Sequence, residues 1–111
     1  MEQEQLDRVK MAFAGQEFTS ALHMLYRLPA TSNKPRLDRY KANGWFNLGV
    51  VSLRAGECQQ ARAHFGEALG VRPDDEDAKR LKAFAEKYDD VPKDRGFYDR
   101  VEALSFRGLD D

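Results

Sequence analysis

Apolar residues recur at helical spacing along almost the whole chain. Leu6, Val9 and Phe13 fall at i, i+3 and i+7, which predicts a helix from about Glu2 to Ala14, broken at Gly15. Phe18, Ala21, Leu22, Leu25 and Leu28 form a full apolar stripe, a second helix that starts near Glu17 and stops at Pro29. The turn formers "PATSNK" follow, with Ser32 or Asn33 placed to cap a third helix and Pro35 suited to its first turn. The stretch "PRLDRYKANGWFNLGVVSLRA" reads as one long helix ending at Gly56. Ala61, Phe65, Ala68 and Leu69 mark a fourth helix, Cys58 to Val71. Pro73 then interrupts, Asp74 or Asp75 is the next N-cap, and Leu81, Phe84, Ala85 and Tyr88 define a fifth helix, Glu76 to Tyr88. Phe97, Val101 and Leu104 suggest a short sixth helix in the tail. No segment alternates apolar and polar residues for long. The expected fold class is therefore all-α.

The helices come in pairs, and one pair carries a recognisable pattern. Trp45, Leu48 and Gly49 match W-x2-L-G, Ala61 and Phe65 match A-x3-F, and Pro73 closes the unit at the expected distance. Ala68 takes the small position between, Gly56 falls at the turn, and Ser52 departs from the pattern's tyrosine. The segment 42–75 thus resembles a tetratricopeptide repeat. Ala21, Leu25 and Gly15 echo it in a degenerate unit over about 2–29, and 76–88 would be a capping helix. The resemblance implies antiparallel helix pairs stacked as a short right-handed array over 1–92, with 93–111 as a tail. It also implies a concave groove, lined by the first helix of each pair, that binds a peptide or partner protein. Close packing explains the small residues: Gly49, Ala61 and Ala68 let backbones approach while Trp45, Leu48, Phe65 and Leu69 fill in beside them. Gly44 lies outside the pattern; it either admits the preceding helix pair or only weakens its own helix.

Composition removes other classes. With 18 basic and 19 acidic residues the net charge is -1, so no basic excess points to nucleic acid. No apolar run is long enough to span a membrane, the first ten residues do not resemble a signal peptide, and a single cysteine permits no internal disulfide. A cytoplasmic setting is the expectation. Gly44 and Gly49 have the gap of a phosphate-binding loop, but Val50 and Val51 stand where Lys and Ser/Thr are required. His23, Cys58 and His64 lack metal-ligand spacing, and the carboxylate runs sit at helix ends beside Lys and Arg. No cofactor, no metal and no catalytic activity are expected.

What remains is a surface. Asn43, Asn47, Val50 and Arg54 fall at i, i+4, i+7 and i+11, a stripe distinct from that of Trp45, Leu48 and Gly49. These four are the first groove candidates; an asparagine amide can pair with both the N–H and the C=O of a peptide backbone. Lys10 and Phe13 on the first helix, and Arg80, Phe84 and Lys87 on the fifth, are expected to face the same way. Such a groove is mildly basic and would favour acidic or C-terminal carboxylate ligands. The lysines of the family's chaperone-tail clamp fall on Gln5 or Leu6 and on Asp77 and Leu81, so that clamp is incomplete. The expected function is an adaptor that binds a protein partner. The alternative is an assembly protein that self-associates through array ends and a tail rich in Phe97, Tyr98, Val101, Leu104 and Phe106.

Overall fold

The computed structural model describes residues 2–29 and 33–109. Among these, the chain forms six helices and no strand: α1 (Glu2–Ala14), α2 (Phe18–Arg27), α3 (Lys34–Arg54), α4 (Cys58–Val71), α5 (Glu76–Lys87) and α6 (Arg95–Glu102). Their ends follow local chemistry. The side chains of Asn33, Asp75 and Asp94 accept from the backbone N–H groups of Arg36, Ala78 and Phe97, capping α3, α5 and α6. Ser32, the other candidate cap of α3, lies outside the described residues.

Two of the chain reversals share one device. After α3, the Glu57 N–H donates to the Ser52 carbonyl at 2.8 Å and the Gly56 N–H to Leu53 at 2.9 Å, with Gly56 at φ +75°. That is the paired closure of a Schellman motif, which needs a left-handed residue. After α1, Glu17 donates to Ala12 and Gln16 to Phe13 in the same register. Here the left-handed residue is Gln16, at φ 60°, and not the neighbouring Gly15.

The short reversals bring α1 against α2, α2 against α3, α3 against α4 and α4 against α5, while α6 returns to α3. Buried side chains gather in two clusters. One joins Leu6, Val9, Phe13, Phe18, Leu22 and Leu25 to Leu37 and Tyr40 on the first half of α3. The other joins Phe46, Val50 and Leu53, on the second half, to Phe65, Leu81, Phe97 and Val101. α3 is long enough to serve both: its 21 residues span roughly 31 Å. Its two glycines mark the close approaches. A Cβ at Gly49 would lie 2.5 Å from the Phe65 ring, and one at Gly44 2.8 Å from Leu22 on α2. Gly44 therefore admits the preceding helix pair.

α6 is shorter than the apolar spacing suggested. It stops at Glu102, which leaves Leu104 outside it. From there the chain turns back along α3.

Candidate functional site

Asn43, Asn47 and Arg54 reach out from α3 and hold the main chain of residues 104–108. The Asn47 amide donates to the Arg107 carbonyl at 2.8 Å and accepts from the Arg107 N–H at 2.8 Å. One side chain thus satisfies both backbone groups of one residue, and Asn47 is itself fully buried. Asn43 donates to the Gly108 carbonyl at 3.2 Å, and Arg54 donates to the Leu104 carbonyl at 2.6 Å. The order of these contacts fixes direction. Positions 54, 47 and 43 of α3 meet 104, 107 and 108, so the segment runs antiparallel to the helix. Residues 104–109 form no helix, strand or turn of their own, so the segment lies along α3 as open main chain.

Side chains of this segment fill places prepared by four helices. Phe106 meets the Phe18 ring edge-on at 4.9 Å, and the Arg54 guanidinium lies 4.6 Å from its centroid. Leu109 is buried in the α1–α2 cluster, while Leu104 packs on the other. Arg107 is held most tightly. Its guanidinium sits 3.7 Å from the Phe46 ring centroid and donates to both oxygens of Asp75, at 2.6 and 3.0 Å. Asp77 adds a carboxylate at 3.6 Å, and the Asn43 oxygen stands 3.5 Å away. The Asp75 side chain is only 8% exposed. A two-point arginine–carboxylate pair over an aromatic ring is a directional contact, stronger than an open surface ion pair. The hydrogen bonds from Arg107 hold the Asp75 carboxyl below the usual range, with the Ala78 N–H and the charges of Arg107 and Arg72 helping against burial.

The expected groove residues separate into groups. Asn43, Asn47 and Arg54 converge on the segment. Lys10 borders it, lining a cleft with Phe13, Arg107, Gly108 and Leu109. Arg80 and Phe84 lie elsewhere, around a small cavity shared with Arg100, Val101 and Leu104. α6 covers Phe84: its ring stacks on Phe97 at 5.4 Å and lies 4.8 Å from the Arg100 guanidinium. Lys87 is exposed beside the Tyr88 ring. Val50 does not face the groove at all; it is fully buried in the second cluster, because the helix turns that position toward its neighbours. The electrostatic expectation also changes. The charge on the segment here is an arginine, met by Asp75 and Asp77. Arg80 is engaged by Asp77 at 3.1 Å, and Arg54 by a carbonyl and a ring.

Phe18, Phe46, Asp75, Asp77, Phe106 and Arg107 were not legible as parts of one site. Asp75 is visible in sequence only as a helix cap, and it does both jobs. Trp45 is half-buried, donating to the Tyr26 hydroxyl at 2.9 Å and stacking on His64 at 5.8 Å. Cys58 is buried at the start of α4, and burial pushes its thiol up, away from an activated thiolate. Among the described residues no cluster of His, Cys, Asp or Glu is arranged to hold a metal, and no helix is long and apolar enough to cross a membrane.

Comparison with family models found no match, and neither curated proteins nor solved structures gave one.

Proposed function

We propose that this protein is a tetratricopeptide-like interaction module whose α3 face receives an extended segment of a partner polypeptide. The observation that carries this reading is the two-point hold of the Asn47 amide on the Arg107 backbone, at 2.8 Å each way. It reads main chain, so it can serve any extended segment laid along α3. In this structure the chain's own residues 104–109 lie there. They act as an internal occupant that a partner has to displace. Tethered directly to α6, the segment has an effective concentration of roughly millimolar or more. A partner therefore binds with an affinity reduced by the small fraction of time the face is open.

The test uses full-length protein with the tail loosened by Phe106→Ala and Arg107→Ala, titrated with a synthetic peptide of residues 103–111. Shifts in the amide spectrum at Asn43, Asn47 and Arg54, lost on adding Asn47→Ala, are expected. A folded, helical variant that shows no such shifts at millimolar peptide would sink the reading. The assembly alternative predicts something else, a tail that enters a second copy. Sedimentation of the same loosened variant, with wild type beside it, separates the two.

A further inference from the structure

From the way residues 104–109 are held, we infer the chemistry of the partner: an extended segment with the order aliphatic–x–aromatic–arginine–x–aliphatic. This rests on the reading of α3 as a peptide-receiving face and adds the sequence that face selects. The backbone contacts from Asn43, Asn47 and Arg54 set register and direction without choosing side chains. Choice comes from the places beside them. Ser105 and Gly108 are exposed, so the two x positions are open. Leu104, Phe106, Arg107 and Leu109 are at least partly buried, each in a different setting.

The aromatic place lies between Phe18 on α2 and Arg54 on α3. It joins the two clusters of the molecule, since Phe106 packs against both. A flat ring suits it: one side offers an aromatic edge, the other a guanidinium. The next place is built for a planar cation. Phe46 supplies a ring 3.7 Å below the guanidinium carbon, and Asp75 offers both oxygens in the plane of its N–H groups. Lysine would keep the charge but lose the two-point fit and the stacking. Glutamate would stand against Asp75 and Asp77. The partner segment is therefore basic at this position, the reverse of the acidic ligand suggested by counting Lys and Arg around the groove. The contacted carbonyls, of Leu104, Arg107 and Gly108, belong to internal peptide bonds, so none of these contacts needs a terminal carboxylate.

A substitution array of the peptide 103–111, bound to the loosened full-length protein described above, tests this. Replacing the peptide's arginine by glutamine is expected to weaken binding at least about tenfold, and by lysine less. Replacing its phenylalanine by alanine is expected to weaken binding by a similar factor, while changes at Ser105 and Gly108 are tolerated. On the receptor side, Asp77→Asn removes one of the two carboxylates facing the arginine at a side chain 55% exposed, and with helicity unchanged it should narrow the gap between arginine and glutamine peptides. Equal binding by arginine, glutamine and glutamate peptides would overturn the sequence preference while leaving the peptide-receiving face standing. No binding by any peptide, with helicity intact, would overturn the face itself.

Discussion

Asn47 shows how much one side chain can decide. It is fully buried, and both ends of its amide are matched to Arg107. Leaving a buried backbone donor or acceptor unpaired costs about 1–3 kcal/mol. The segment has another option, which is to lift off and hydrate. Asn47→Ala is therefore expected to release residues 104–109 and not to unfold the helices. Amide exchange at those residues should rise by about tenfold or more while Phe65 and Leu53 stay protected. Equal loss of protection in both places would show that Asn47 is a core residue and nothing else. Gln16 offers a second test at this scale. It closes the α1 reversal with φ 60°, where a Cβ is unfavourable and glycine is not. Gln16→Gly should stabilise the protein by about 0.5–1 kcal/mol in urea denaturation. Gly49→Ala should do the opposite: the Phe65 ring is fully buried and 2.5 Å from the new Cβ, so overpacking of about 1–3 kcal/mol outweighs a helix gain of about 1.

At the scale of elements, periodicity was enough for α1 to α5. Each has a long apolar stripe with a stop signal after it, and the observed helices run within a residue or two of those limits. The α6 stripe misled at one end. Leu104 keeps the spacing of Phe97 and Val101, but its carbonyl is taken by Arg54 and the chain leaves the helix. Nothing local distinguishes a residue that continues a helix from one captured by a side chain 50 positions away. Asn43, Asn47 and Arg54, which hold the return segment, could be grouped from sequence because helical spacing put them on one stripe. Val50 shared that spacing and is buried, since a stripe spaced by i+4 and i+7 is wide enough to reach the core edge. Asp75 could not be read beyond its cap, because its second partner lies 32 residues on. That double use couples two elements. The Asp75 carboxyl is held below its ordinary value, first by the Arg107 hydrogen bonds, so its contribution is present above about pH 4 and fades as pH falls through the lowered value. Acid should therefore free the segment and loosen the α5 cap together. A carboxyl titration by NMR should place Asp75 below the ordinary aspartate value in wild type and nearer to it in Arg107→Gln. An unchanged midpoint would mean that the cap alone sets it.

The whole molecule is somewhat elongated, 47 × 26 × 20 Å, with a Cα radius of gyration of 14.4 Å against about 13 Å for a compact chain of this length. Its two clusters sit at successive halves of α3, and the return segment crosses both. Phe106 and Trp45 each pack on the two clusters, and Leu109 enters the first after Leu104 has packed on the second. The segment thus works as a strap between two halves built on the successive halves of α3. Two consequences can be told apart. If the strap also contributes stability, Phe106→Ala lowers the midpoint of global urea unfolding; truncating a buried phenylalanine typically costs about 3–5 kcal/mol, and this half-buried one should fall below that range. If the strap is exchanged between copies, loosening it in the parent protein shifts a dimer toward monomer. Of the apolar side chains that the tail brings, Phe97, Val101, Leu104, Phe106 and Leu109 pack internally, while Tyr98 stays partly exposed. The large ones left exposed, Met11, Tyr26, Val51, Val91 and Tyr98, lie on separate elements. Wild-type protein is therefore expected to sediment as a monomer across about 10–500 μM, a range wide enough to reveal any contact stronger than roughly −5 kcal/mol. A concentration-dependent dimer that Phe106→Ala dissolves would instead assign the strap to a neighbouring copy. In that case the Asn47–Arg107 contact would be the assembly interface.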